Sequence, residues 1–254
     1  MGRKRRHVPL SNSEAWVFNR MAHDYDARPE YPRALLDFIA NLAPGRRIAD
    51  LGAGTGYAAL PLAERGFEVV AVEPAEAMLA ILRRTARERG LELTALHGKA
   101  EALPFEAASF DLVLIADALH FLDVELAAKE IRRVLAPRGV LALVTSTFAD
   151  TPWMTSLGAI IHETATRRPR DPSPAIRQLA SVAHAPLSGV AQFSDAAELD
   201  AARLERLMRS VSFIGPALNP VRYATFRSRL QALPEPLVWS RSLTLHSGRR
   251  TRGV

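Results

Sequence analysis

The chain has no cysteine among its 254 residues. That excludes disulfides, thiolate-ligated zinc and thiol catalysis, and it fits a cytoplasmic location. Nor does it contain a run near the ~20 consecutive apolar residues that a membrane-spanning helix needs, so no membrane partner is expected. The first residues are basic, but no apolar stretch follows, which argues against a secretory leader. There is no internal repeat, low-complexity tract, Walker loop, Gly-x-Ser-x-Gly turn or EF-hand loop. His162-Glu163 begins like a zinc-protease helix, yet position 166 is Thr166, so the second histidine is missing and no metal is expected.

What is present is ordinary for a globular protein: 48% hydrophobic and 24% charged residues. The net charge of +6 has much of its excess at the two ends, in Arg3-Lys4-Arg5-Arg6 and in Arg249-Arg250 with Arg252. Short terminal basic runs read as solvated tails. Their rival reading is nucleic-acid binding, but no basic helix interleaved with aromatics accompanies them, and nucleic acid is not expected as a partner. Oligomeric state is not legible.

The organising stretch is Ile48-Ala49-Asp50-Leu51-Gly52-Ala53-Gly54-Thr55-Gly56. An apolar run enters an acid, three glycines follow at alternate positions, and a helical pattern begins at once. This is the layout of a buried strand, a tight turn and a helix N-terminus cradling a cofactor. The dinucleotide fingerprint GxGxxG is the obvious rival, but here the third glycine comes one residue early and Tyr57 follows. Asp50 beside the bend would repel a pyrophosphate and suits a ligand that presents a cation.

The motif Asp50-Leu51-Gly52-Ala53-Gly54-Thr55-Gly56 resembles motif I of the class I S-adenosylmethionine (SAM) dependent methyltransferases. Tyr25-Asp26-Ala27-Arg28-Pro29-Glu30-Tyr31-Pro32 resembles the signature of small-molecule methyltransferases of the type 11 kind, which folds over the cofactor. Ser210-Val211-Ser212-Phe213 resembles a segment of their trans-aconitate-methyltransferase-like relatives. The resemblance implies SAM as cofactor and S-adenosylhomocysteine (SAH) as product. It also implies that Tyr25 and Arg28 approach the methionine end of the cofactor. Glu73-Pro74 resembles motif II: the acid closes the second strand, 17 residues past Gly56, where a charged acceptor can take both ribose hydroxyls. Met78, in the helix that follows, is expected to flank the adenine. Relatives commonly read Gly-Asp-Ala-Glu-x-Leu-Pro-Phe where this chain has Gly98-Lys99-Ala100-Glu101-Ala102-Leu103-Pro104-Phe105. Their aspartate meets the adenine amino group. Lys99 cannot accept a hydrogen bond, which leaves the Ala100 N–H to serve the adenine edge.

In chain order the sequence predicts a basic tail over 1–13 and an N-terminal cap over 14–44 within a single domain, 14–254. A cofactor-binding core follows over 45–148, then a lid or substrate region over 149–235 and a last strand over 236–247. Strand and helix alternate five times, the mark of an α/β fold, and the resemblance makes it a doubly wound, mostly parallel, seven-stranded Rossmann-like sheet. Pro61 should kink the helix after the glycine bend if that helix starts near Thr55. Pro137-Arg138-Gly139 reads as a turn into a fifth strand, Val140 to Thr145. The Pro- and Arg-rich stretch Arg167 to Gly189 reads as a substrate-covering insertion or a mobile loop.

Ligands of such sheets sit outside the carboxyl ends of the strands, where Asp50, Glu73, Lys99, Ala100, Glu101 and Asp117 all fall. Methyl transfer from sulfonium needs proximity and alignment, and a base only if the nucleophile arrives protonated. His120, just past strand four, is the candidate base, with a role as lid contact or pocket wall as the alternative. The expected activity is methyl transfer to a small-molecule acceptor, at the oxygen of a carboxylate or hydroxyl. The alternatives are a non-methyl reaction or binding alone on the same fold, and an RNA or protein methyltransferase using the basic tails.

Overall fold

The computed structural model describes residues 12–165 and 171–251. The basic run Arg3 to Arg6, the end residue Arg252 and part of the Arg167 to Gly189 stretch lie outside them.

One sheet organises the chain: β1 (Arg47–Leu51), β2 (Glu68–Glu73), β3 (Thr94–His97), β4 (Phe110–Ala116), β5 (Leu135–Phe148), β6 (Leu187–Leu199) and β7 (Leu237–Arg249). The spatial order is β3-β2-β1-β4-β5-β7-β6. The first five strands pair in parallel, and β7 runs antiparallel between β5 and β6. The order reverses beside β1, so a crevice opens above the carboxyl ends of β1 and β4.

Both faces of the central strands are covered, which is why β4 reads as a continuous apolar run. On one face Leu51, Val113, Ile115 and Leu141 meet α5 (Val124–Val134) and α7 (Ser173–Val182). On the other, Ile48, Leu112, Leu114 and Ala142 meet α2 (Arg33–Leu42), α3 (Ala59–Glu64) and α4 (Glu76–Glu88). A separate apolar cluster joins α6 (Pro152–Thr164), α8 (Ala201–Arg209) and α9 (Pro220–Gln231) to Leu237, Trp239 and Ala27. α1 (Asn12–Met21), followed by a 3-10 turn at Ala22–Ala27, reaches the crevice, which Phe18 and Tyr25 line.

Local caps set several starts. Asp123 Oδ1 accepts from the N–H groups of Glu125 and Leu126, both at 3.1 Å, as expected of a capping acid. Asp200 and Thr151 do the same for α8 and α6.

Three expectations change. The helix after the glycine bend starts at Ala59, so Pro61 falls in its first turn, where its missing N–H costs no helical hydrogen bond, and no kink is needed. The Pro137-Arg138-Gly139 turn is an irregularity within one long strand, because the pairing register with β4 shifts between Phe110 and Leu112. The stretch expected to cover substrate holds a core helix: α7 buries Ile176 and Leu179 in the same apolar cluster as Ile131 of α5. Pro174 sits at the start of that helix, where proline is tolerated, and the neighbouring prolines disguise it in sequence.

Candidate active site

The crevice is walled on one side by the glycine bend. Gly52 has φ +76°, and a Cβ there would come within 2.6 Å of the Ala118 Cβ, so only glycine lets the bend close on the loop after β4. Glu73 stitches this bend to the end of β2. Its Oε2 accepts from the Gly54 N–H and its Oε1 from the Ala75 N–H, each at 2.8 Å. Burial pushes its carboxyl above the usual range, opposed by those two N–H groups. Each oxygen keeps a further lone pair for a ligand hydroxyl.

Asp50 stands on the same wall, 2% exposed, and its Oδ2 is buried without a hydrogen-bond partner. Burial, then the charge of Glu73, raises its carboxyl to about 7, while the Ala59 N–H pulls the other way. A buried acid with an orphaned oxygen lacks a donor or cation. Asp50 with its orphaned oxygen, beside the backbone-held Glu73, fits a ligand that carries a cation and vicinal hydroxyls, and the pair does not fit a pyrophosphate.

Beyond Glu73 the crevice is lined by Pro74, by the buried Met78, and by Gly98 to Glu101, with Phe18, Phe121 and Leu122 across from them. Phe18 meets Phe121 edge to face at 4.9 Å. Glu101 Oε1 accepts from the Asp123 N–H at 2.8 Å, and its Oε2 is buried with no partner.

The facing wall is built from side chains far apart in sequence. Asp117, at φ +54°, ends β4, and its carboxylate accepts from the Ser146 N–H and hydroxyl, both at 2.6 Å. Tyr31 donates to its Oδ2 at 3.0 Å, and burial, reinforced by that carboxylate, holds the phenol well above its ordinary pKa. The Arg241 guanidinium, from β7, lies 5.4 Å from the Tyr31 ring centre, paired with Asp195 and donating to the Pro29 and Glu30 carbonyls. Arg28 lies 4.3 Å over the Tyr25 ring and donates to Ser210 through both the hydroxyl, at 2.9 Å, and the carbonyl, at 2.7 Å. Tyr57 donates to the carbonyls of Tyr25 and Arg28. Asp24, 3% exposed, pairs with Arg209 at 2.9 Å.

The structure therefore brings Tyr25, Arg28, Asp50, Gly52, Gly54, Glu73, Pro74, Met78, Lys99, Ala100, Glu101 and Asp117 to one cleft. Two expected residues lie outside its lining. Gly56 turns its Cα to the core, where a Cβ would stand 3.0 Å from Leu60 of α3 and Leu82 of α4. His120 is exposed, with its ring 3.8 Å from that of Phe121, and the carboxylate that does line the cleft nearby is Asp117. Sequence reasoning passed over Tyr31 and Tyr57, although both sit in or beside quoted motifs. Arg241 carried no signal, because a single arginine on an alternating strand looks like a solvent-facing residue.

The family model described as a methyltransferase domain matches residues 49–143. An uncharacterized methyltransferase of Mycobacterium tuberculosis is 43% identical over 135 residues, 53% of this chain and 54% of the relative. The demethylmenaquinone methyltransferase of Thermus thermophilus is 44% identical over 131 residues, 50% of this chain and 59% of the relative. The matched stretch thus spans little more than half the length of these curated relatives. Among solved structures, a geranyl diphosphate C-methyltransferase from Streptomyces coelicolor, in complex with magnesium, geranyl diphosphate and SAH, shares the fold with a TM-score of 0.56 at 13% identity, over 96% of this chain and 100% of its own. The glycine bend and the two buried acids on one wall thus lie within or beside a stretch that matches a methyltransferase domain, in a chain that shares the fold of a solved methyltransferase.

Proposed function

We propose that the protein transfers the methyl group of SAM to a small-molecule acceptor at oxygen, a carboxylate or a hydroxyl. The observation that carries the cofactor half is the pairing of Asp50 and Glu73, both buried on one wall, one with an orphaned oxygen and the other held by the N–H groups of the bend. Asp50, Glu73, the glycine bend, Met78 and the Gly98 to Glu101 loop would hold SAM, which supplies a sulfonium-activated methyl group.

The chain's own task is then to align and to exclude water. Tyr25, Arg28 and Tyr57 close one side of the cleft through a network tied to Ser210. Such positioning lowers a displacement barrier by several kcal/mol. An acceptor that arrives as a carboxylate needs no base. A hydroxyl acceptor gives its proton to Asp117 on the lining, or to His120 at the mouth.

Two probes test this reading. Isothermal titration with SAM and SAH checks the cofactor, and methyl transfer from radiolabelled SAM to a panel of carboxylic acids, phenols and amines checks the acceptor. SAH formed in step with a methyl ester or ether supports oxygen transfer; label on carbon or nitrogen overturns it. Product formation without SAH supports a non-methyl reaction on this fold, since fold alone does not fix chemistry.

A further inference from the structure

We infer that Asp24 is a positioning residue for the cleft: with the arginines of α8 it fixes where Tyr25 and Arg28 stand against the ligand. This rests on the SAM reading of the cleft and goes beyond it in naming what holds that wall in place. Tyr25 and Arg28 both line the cleft; Tyr25 sits in the 3-10 turn Ala22–Ala27 and Arg28 caps its end. The turn buries only Ala22, Asp24 and Ala27. Two of these are alanines, whose single methyl contributes little on burial, so directional contacts must set the position of the turn. Arg203, Arg206 and Arg209 recur every third residue and share one face of α8. Arg203 donates to the Ala27 carbonyl at 3.1 Å and Arg206 to the His23 carbonyl at 3.2 Å, while Ser210, just past the helix, receives the Arg28 guanidinium. Tyr57 takes the carbonyls of Tyr25 and Arg28, so four carbonyls in a row of six residues are gripped by side chains. Asp24 is the centre of this grip and lies outside the cleft lining. Its Oδ2 is 2.9 Å from Arg209 and its Oδ1 3.6 Å from Arg206, with the exposed His23 beside them. The partners are unequal. The Asp24 side chain is 5% exposed, whereas those of Arg209 and Arg206 are 37% and 41% exposed. The arginines can turn to water, but the carboxylate is buried and holds its charge only while α8 stays docked on it. Asp26, which also meets Arg206, is exposed and imposes no such demand. Asp24 touches no ligand and acts through Tyr25 and Arg28.

The test is a double-mutant cycle read by calorimetric titration with SAH, since a residue that acts only through Tyr25 and Arg28 has no effect once both are gone. Asp24→Asn keeps the shape and an acceptor oxygen and removes the charge. It should weaken SAH binding about fivefold, by lowering the fraction of protein whose turn is docked. In the Tyr25→Ala, Arg28→Ala background, which retains the bend wall, the same change should alter affinity less than about twofold. Asp26→Asn should stay within about twofold of wild type, as an exposed pair contributes little. Should Asp24→Asn not fold, Arg209→Gln reads the same pair from its exposed side, with a loss of about threefold that again vanishes in the background lacking both side chains. Equal losses in the two backgrounds, an Asp24→Asn affinity equal to wild type, or an Asp26→Asn loss that matches that of Asp24→Asn overturns the inference while SAH binding still upholds the cofactor reading. A wild type that does not bind SAH overturns both.

Discussion

The bend wall draws Asp50, Gly52, Gly54 and Glu73 from 24 consecutive residues. The facing wall joins Tyr31 to Asp117 across 86 positions and Arg28 to Ser210 across 182. The first is held by backbone: strand ends, positive φ at glycine and N–H groups pointed at one carboxylate. The second is held by side chains, through an arginine clamp, a tyrosine-carboxylate bond and a guanidinium over a ring. A wall made of backbone can be specified by a short motif and tolerates little change. A wall made of side chains can be rebuilt one residue at a time, as a fold that serves many acceptors requires.

The sharpest way to break this contrast is Glu73→Ala. It removes a charged acceptor for the ligand hydroxyls and also strands the Gly54 and Ala75 N–H groups. SAM affinity should fall by about 1.5–3 kcal/mol, read by calorimetry. An unchanged dissociation constant would remove Glu73 from the ribose role.

Next in size is the pH response of Asp50, whose folded-state pKa of about 7 lies above its ordinary value of 3.8. Between these two values the unfolded chain is ionised while native Asp50 holds its proton. Stability of the ligand-free protein is therefore gained below that window and lost as pH rises through it. Cation binding selects the ionised form and has the opposite sign. SAM affinity should be about tenfold weaker at pH 6 than at pH 8, with proton release on binding measured in buffers of different ionisation enthalpy. Asp50→Asn should flatten that profile; a wild-type profile that is already flat would show that Asp50 does not face the cation.

Smaller still is Ser210→Ala, which removes the hydroxyl that receives the Arg28 Nε–H while leaving the carbonyl contact. Unfolding in urea should show a loss of about 1 kcal/mol, with SAH affinity changed less than twofold. An equal loss in both would mean that the two walls are coupled, against the contrast drawn above. The smallest effect is expected of His120→Ala: SAH affinity within twofold and turnover within tenfold, since the ring lies outside the cleft lining. A fall in turnover beyond about a hundredfold would restore His120 as the base.

Legibility follows the same division. The bounds of α2 and β1, the acid at the end of β2 and the Asp123 cap are all readable, because each depends on residues a few positions apart. The apolar run of β4 announces a strand covered on both faces. Helix α7 was hidden because its prolines look the same in sequence whether they begin a helix or break one, and only the apolar face offered by α5 decides which. The side that His120 faces was hidden for a related reason: a position just past a strand end can face the crevice or the solvent, and the short turn at Leu119–Phe121 sets which.

The sequence by itself determined the doubly wound sheet, the glycine bend and the two acids of its wall, because strand periodicity, φ preference and charge are local properties of the chain. The tertiary structure decided which side chains complete the cleft. Tyr31, Asp117 and Arg241 come together only when β7 inserts beside β5 and the N-terminal segment folds down over both, and no local rule encodes contacts between residues that distant.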